Sequence, residues 1–302
     1  MLAFGGAIGF AFRPLLIKLC YAAHPVSPAT LLFLRMTLTL PFFLLVAIWL
    51  ARRVTSRAGS GAAAQQASLT GRDWAAVAGL GFVGYYLASF LDFLGLQYVG
   101  AGIGRLIGFL YPTIVVALSL LFLHKRPSGR ELAALVVCYA GIALVVSDQI
   151  GAHPQDRLFL FGVVLCLLNA ISYAVYLVAG SQLTQRIGSM RFTAYTMIAA
   201  TLPAVVQFLA METRASLDLP AQVWWYMLLL VIFATILPVF MVAEALKRIG
   251  ANQFALIGAV GPVVAVIAGA IGLEEPVTLI KVTGSALVIS GVVLVSLKPR
   301  AA

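Results

Sequence analysis

Charge is what this sequence has least of. Only 10% of its 302 residues are Asp, Glu, Lys or Arg, against 62% hydrophobic, and mean hydropathy is +1.05. A soluble chain carries about a quarter charged residues, so a polar surface cannot be assembled over a fold of this size. The expected solvent is lipid. Histidine and cysteine are nearly as scarce. His24, His124 and His153 fall at segment ends or in loops, and Cys20, Cys138 and Cys166 lie singly in apolar stretches. A metal knuckle and a disulfide framework are thereby excluded, leaving small buried thiols. There is no HExxH, no GxSxG and no nucleophile–base pair. No cofactor or metal is expected, and an intramembrane enzyme is the less favoured class. No basic run precedes the apolar stretch that starts at Met1-Leu2-Ala3-Phe4, so no cleavable signal peptide is expected.

What is there is apolar segments and breakers. Ten segments are predicted, near 2–22, 28–50, 74–95, 100–123, 131–148, 158–183, 191–212, 222–245, 251–272 and 279–297. Breakers such as Pro25, Pro28, Gly129, Pro154, Pro220 and Pro276 stand between them. The alternation of a barrel strand is absent, and backbone polar groups in lipid must be satisfied within the segment, so the segments are predicted to be helices. The one long polar loop spans 51–72.

The chain carries 20 Lys and Arg against 10 Asp and Glu. A nucleic-acid binder would gather the basic excess on one patch, whereas here it sits in alternate short loops. Arg52, Arg53, Arg57 and Arg72, then Lys125, Arg126 and Arg130, then Arg186 and Arg191, Lys247 and Arg248, and Lys298 and Arg300 all fall on one predicted side. That side is the cytoplasm, where both termini and the 51–72 loop are expected. Nucleic acid is not a partner on this reading; the bilayer is.

The sequence also repeats itself, which decides the architecture. Shifted by 150 positions, Trp74 meets Trp224, Phe90 meets Phe240, Leu106-Ile107-Gly108 meets Leu256-Ile257-Gly258, Pro112 meets Pro262 and Gly141 meets Gly291. Upstream, Thr39-Leu40-Pro41 echoes Thr201-Leu202-Pro203. Five segments per copy is an odd number, so the copies, 1–150 and 151–302, should run in opposite directions through the membrane. The loop charges agree: His124-Lys125-Arg126-Pro127 aligns with Glu274-Glu275-Pro276, and Gln97-Tyr98 with Lys247-Arg248. The predicted fold is an all-α membrane protein of ten transmembrane helices in two inverted five-helix repeats. Such repeats hold a solute near the midplane and expose it to each side in turn.

Gly79-Leu80-Gly81-Phe82-Val83-Gly84 has dinucleotide-loop spacing, but lies within an apolar segment where no strand precedes it. Close helix packing or a bend is the preferred reading, as is a small-residue packing stripe for Gly100, Gly104 and Gly108.

Charges within the segments say more, because each costs several kcal/mol unless solvated or paired. Arg13 lies about 11 residues into the first segment, roughly 16 Å deep at about 1.5 Å per residue. It is expected to face a watery interior. Lys18 and Arg35 lie shallower, and two readings stand equally: snorkelling to the outer headgroups, or facing the interior. Asp92 and Arg105 flank a short outer turn, and pairing with each other is the preferred reading. Asp92 and Glu244 are the two acids within predicted segments and the candidates for proton coupling. Tyr85, Tyr86, Tyr111, Asn169, Tyr173 and Tyr176 punctuate the inner helices, the last three sharing a helix face; cavity wall and packed core explain the tyrosines equally well. Pro112, Pro238 and Pro262 free carbonyls in mid-segment and are candidate hinges or gates.

These features resemble the EamA-like branch of the drug/metabolite transporter superfamily. The likeness spans nearly the whole chain. It rests on the duplication, on Leu15-Leu16-Ile17-Lys18, on Pro25-Val26-Ser27-Pro28 leading to Arg35, and on Pro112 and Pro262 with the charged turns that follow. The resemblance implies five-plus-five helices around a central cavity and export of small metabolites without ATP hydrolysis. Arg13 is outside the family pattern and is a candidate mark of this chain's own substrate. The expectation is a secondary transporter of the bacterial inner membrane, monomer or homodimer, exporting a small polar metabolite such as an amino acid or organic acid. Translocation of a lipid or drug-like amphiphile is the alternative.

Overall fold

Among the residues the structure describes, six apolar helical stretches are long enough to cross a bilayer, Phe4–Ala23, Pro28–Arg52, Gly71–Gly95, Arg157–Gly180, Ser189–Met211 and Ala221–Met241. They come from a computed structural model that describes residues 2–57, 69–111, 113–115, 117–118, 129–152, 157–241, 261–273 and 277–296. Among these residues all regular structure is helical. The helices are α1 (Leu2–Ala11), α2 (Arg13–Ala23), α3 (Pro28–Arg57), α4 (Gly71–Gly81), α5 (Ala88–Gly95), α6 (Ala101–Gly108), α7 (Gly129–Ala152), α8 (Arg157–Ile187), α9 (Ser189–Met211), α10 (Ala221–Val231), α11 (Gly261–Leu273) and α12 (Leu279–Ser296).

The surface is apolar where lipid would meet it. Leu202 is 69% exposed, Leu209 72%, Ile271 80% and Leu279 78%, whereas Arg35 is 2% and Asp92 3% exposed. Polar groups inside and leucines outside is the arrangement a bilayer rewards and water does not.

The helices follow local chemistry more closely than hydropathy alone. The first segment breaks between α1 and α2, where Pro14, which lacks an N–H, enters the first turn of α2. Ser27 accepts from the Thr30 backbone N–H at 3.1 Å and so starts α3. Thr70 and Asp73 form a reciprocal capping box that starts α4 at Gly71, three residues before the predicted limit. The predicted 51–72 loop is shorter than expected, because α3 continues through Arg57.

Repeat-related helices pack against each other. In α7 and α12 the contacts are reciprocal: a Cβ on Gly141 would lie 2.7 Å from the Gly284 carbonyl, and one on Gly291 would lie 2.8 Å from the Ala134 carbonyl. Under the 150-residue shift Ala134 corresponds to Gly284 and Gly141 to Gly291, so the two helices cross antiparallel at this contact. The same holds for α3 and α9, each carrying its internal proline at the echoed position, Pro41 and Pro203. Ser27, before α3, donates to Glu212, just after α9, and Phe33 stacks on Phe208 at 4.1 Å. The start of one helix therefore meets the end of the other.

Two π-helical turns occupy matching places in the repeats. Phe82–Leu87 joins α4 to α5, and Ile232–Ile236 follows α10. In them the N–H of Ala88 bonds the carbonyl of Val83, and that of Leu237 bonds Ile232. The wider turn is common at functional sites, and both turns border the cavity described next.

Candidate functional site

Between the helices lies a cavity of about 150 Å³. Its wall is drawn from α1, α2, α3, the two π turns, α5, α6 and α8, with Met197 from α9. On the face carried by Tyr85, Ser89 and Asp92 the spacing is one and then nearly one further helical turn. Their repeat partners include Thr235, opposite Tyr85, and Val239, opposite Ser89, and all four of these paired residues line the same space.

Among the described residues, three guanidiniums, from Arg13, Arg35 and Arg105, line this cavity against one carboxylate, Asp92. Arg13 emerges at the break between α1 and α2, and its Nη2 donates to Asp92 Oδ2 at 2.6 Å. Asn169 Nδ2 donates to the other oxygen, Oδ1, at 3.2 Å. The pairing is thus Asp92 with Arg13, and not Asp92 with Arg105 across the outer turn. Arg35 does not reach for headgroups: it is buried, its Nη1 donating to Ser89 Oγ at 2.7 Å and its Nε to Thr235 Oγ1 at 3.3 Å. This side chain bridges the two repeats. Arg105 lies over the ring of Phe109, 5.9 Å from its centroid.

Aromatic rings close one side. Tyr111 meets Tyr173 edge-on at 5.2 Å, Tyr173 stacks on Tyr176 at 5.8 Å, and the Tyr176 hydroxyl donates to that of Tyr85 at 3.4 Å.

The structure brings together Arg13, Arg35, Tyr85, Asp92, Tyr111, Asn169 and Tyr173. It leaves Tyr176 behind the wall, where it packs across Gly84: a Cβ there would lie 2.3 Å from the tyrosine ring. Tyr86 is outside the lining, with its ring tilted against Phe82 and stacked on Phe90. Lys18 is half-buried on α2 and outside the lining. Pro238 is buried against Gly9 beside the second π turn. Glu244 and Pro112 lie outside the described residues, and Pro262 falls within α11 with only its backbone described. Sequence reasoning did not single out Ser89 or Thr235, although Ser89 shares the face of Tyr85 and Asp92. It paired Arg105 with Asp92 and also counted it among the cations of the first repeat that would give a cavity positive potential; the structure breaks the pairing and places Arg105 in the cavity lining.

The glycine fingerprint dissolves into packing. A Cβ on Gly81 would sit 2.5 Å from the Thr196 carbonyl, and Gly79 has nothing within 4 Å. Among the described residues no cluster of His, Cys, Asp and Glu could hold a metal ion.

The whole arrangement is an apolar helical shell around a cationic, aromatic-walled cavity. The model of the EamA-like transporter family matches it twice, over residues 1–147 and 160–297. The chain belongs to the EamA-like transporter family. Named relatives agree. The "Uncharacterized transporter YcbK" of Bacillus subtilis (strain 168) is 29% identical over 284 residues, covering 92% of this chain and 86% of that protein. An "Uncharacterized transporter" of Archaeoglobus fulgidus is 26% identical over 224 residues, covering 74% and 78%. A crystal structure with 16% identity covers 97% of this chain and 94% of that one at a TM-score of 0.66, which shows a shared fold. This EamA-family chain is accordingly an integral membrane protein whose relatives are named as transporters.

Proposed function

We propose that this protein is a secondary active transporter of the inner membrane that exports a small polar metabolite bearing a carboxylate, such as an amino acid or organic acid, by alternating access. The observation that carries the reading is the cavity charge, with Arg13, Arg35 and Arg105 against Asp92 as the one carboxylate among the described residues of the lining. A confined positive potential concentrates anions and rejects cations, and a guanidinium can grip a carboxylate through two parallel hydrogen bonds. Tyr85, Tyr111 and Tyr173 supply flat walls for the rest of the solute.

The frame we assign is ten transmembrane helices in two inverted repeats, 1–150 and 151–302, with both termini cytoplasmic. The antiparallel packing of α7 on α12 and of α3 on α9 supports it, as does a family match on each half. Two matched π turns bordering one cavity suit hinges that open it to each side in turn, with Pro238 beside the second. Asp92 and Glu244 remain the candidates to carry a coupling proton.

A second reading, translocation of an amphiphile, is favoured by an apolar groove lined by Leu45, Val46, Trp49, Met190 and Phe240. A thermal-shift screen of the purified protein against amino acids, carboxylates, amines and single-chain amphiphiles separates the two. Stabilisation by acids and not by amines supports the acid reading; stabilisation by amphiphiles alone selects the second.

A further inference from the structure

The three cavity arginines are not equivalent. Arg13 is committed to Asp92 at 2.6 Å. Arg35 is committed to Ser89 and Thr235, with its Cζ 5.8 Å from the ring centroid of Phe93. Arg105 differs from both. Among the described residues its side chain makes no hydrogen bond; its Nε, like that of Arg13, is shut off from water without a partner, and the face of Phe109 is its neighbour. A guanidinium carries five N–H donors and cannot shed its charge in a protein. A buried donor on a charged group is costly when left unmatched, so this group is incomplete until something anionic or aqueous meets it.

A glycine of the other repeat stands beside it, next to the cavity but not among its lining residues. Gly261 opens α11, and a Cβ built there would lie 3.4 Å from Arg105 Nη2 and 3.8 Å from the Phe109 ring. A methyl there makes ordinary contact, and a bulkier side chain would crowd the fork. Gly108, one turn along α6, and Asn169 on α8 line the same cavity. The 150-residue shift puts Ala255 opposite Arg105, so the cation belongs to one repeat only.

We propose that Arg105 is the residue that receives the substrate's carboxylate, with Gly261 holding its approach open, while Arg13 and Arg35 are structural cations fixed by Asp92, Ser89 and Thr235. This rests on the acid-substrate reading above and assigns the contact within it. Two parallel N–H···O bonds from the Arg105 fork to the carboxylate oxygens complete the guanidinium, and Tyr111 and Tyr173 flank the remainder of the solute. An ordinary amide presents one acceptor oxygen and no charge, so it completes the fork poorly.

The test is calorimetric titration of the full-length purified protein with L-leucine, L-glutamate, succinate and benzoate, each beside its amide. Wild type should prefer at least one acid over its amide by about tenfold or more, and Arg105→Gln should bring that ratio to about one, since charge-assisted bonds of this kind contribute about 10- to 100-fold. Arg105→Lys keeps the charge without the fork and should fall between. Gly261→Ala, whose added methyl makes only van der Waals contact, should melt like wild type yet bind the acid several-fold more weakly. A wild type that prefers no acid defeats the acid reading itself. A wild-type preference that survives in Arg105→Gln, or that both Arg105→Lys and Gly261→Ala leave unchanged, overturns the assignment to Arg105 and leaves the acid reading standing.

Discussion

Arg13 and Asp92 meet at 2.6 Å although 79 residues separate them in the chain. The bond ties the break in the first membrane segment to the middle of α5, and Asn169 holds the second carboxylate oxygen from α8. Three helices are thus joined at the cavity wall by one acid.

Asp92→Asn should be destabilising. Removing one partner of a buried pair costs about 3–5 kcal/mol, and the 19% side-chain exposure of Arg13 puts the expected loss toward the lower end. Thermal unfolding of Asp92→Asn, Arg13→Gln and the double variant checks this. The double variant should lose less than the two single losses combined; strict additivity would show that the pair contributes nothing.

Gly84→Ala and Gly79→Ala test whether the glycine-rich stretch serves packing. The first puts a methyl into Tyr176 and should cost about 1–3 kcal/mol. The second points into open space and should be neutral or stabilising by up to about 1 kcal/mol. Equal losses in unfolding experiments would contradict the packing account.

Much of this was legible before any coordinates. Apolar segments and scarce charge pointed to the helices, and the 150-residue register pointed to a duplication, whose unremarked pair Tyr85 and Thr235 lines one cavity. The Arg13–Asp92 bond was not legible. Asp92 is nearer in sequence to Arg105, and nothing local shows that the break at Pro14 turns Arg13 toward α5. Tyr176 misled for a related reason. It lies one turn from Tyr173 on α8, yet Gly84 on the facing helix leaves a gap that its ring fills, so the cavity wall ends one turn earlier. Arg35 was ambiguous because depth alone does not distinguish a snorkelling cation from one held by Ser89 and Thr235.

Orientation is checked from outside the cell. Single cysteines at Glu274 and Lys125 lie at aligned turns of opposite charge, so an impermeant thiol reagent should label Glu274→Cys and spare Lys125→Cys. The reverse pattern would remove the inverted-repeat arrangement.

Proton coupling points to the two acids expected within the membrane. Transport into proteoliposomes with an imposed pH gradient should lose its dependence on that gradient in Asp92→Asn or in Glu244→Gln. If both variants keep it, neither residue carries the proton.

The central claim, that the cavity moves a solute by its carboxylate, is tested most directly by counterflow. Proteoliposomes holding purified wild type are loaded with an unlabelled acid from the thermal-shift screen and exposed to the labelled acid or to its labelled amide. The account predicts protein-dependent exchange of the acid at least about tenfold faster than of the amide, the ratio expected from one charge-assisted bidentate contact. Exchange of both at equal rates, or of neither above empty liposomes, would contradict it.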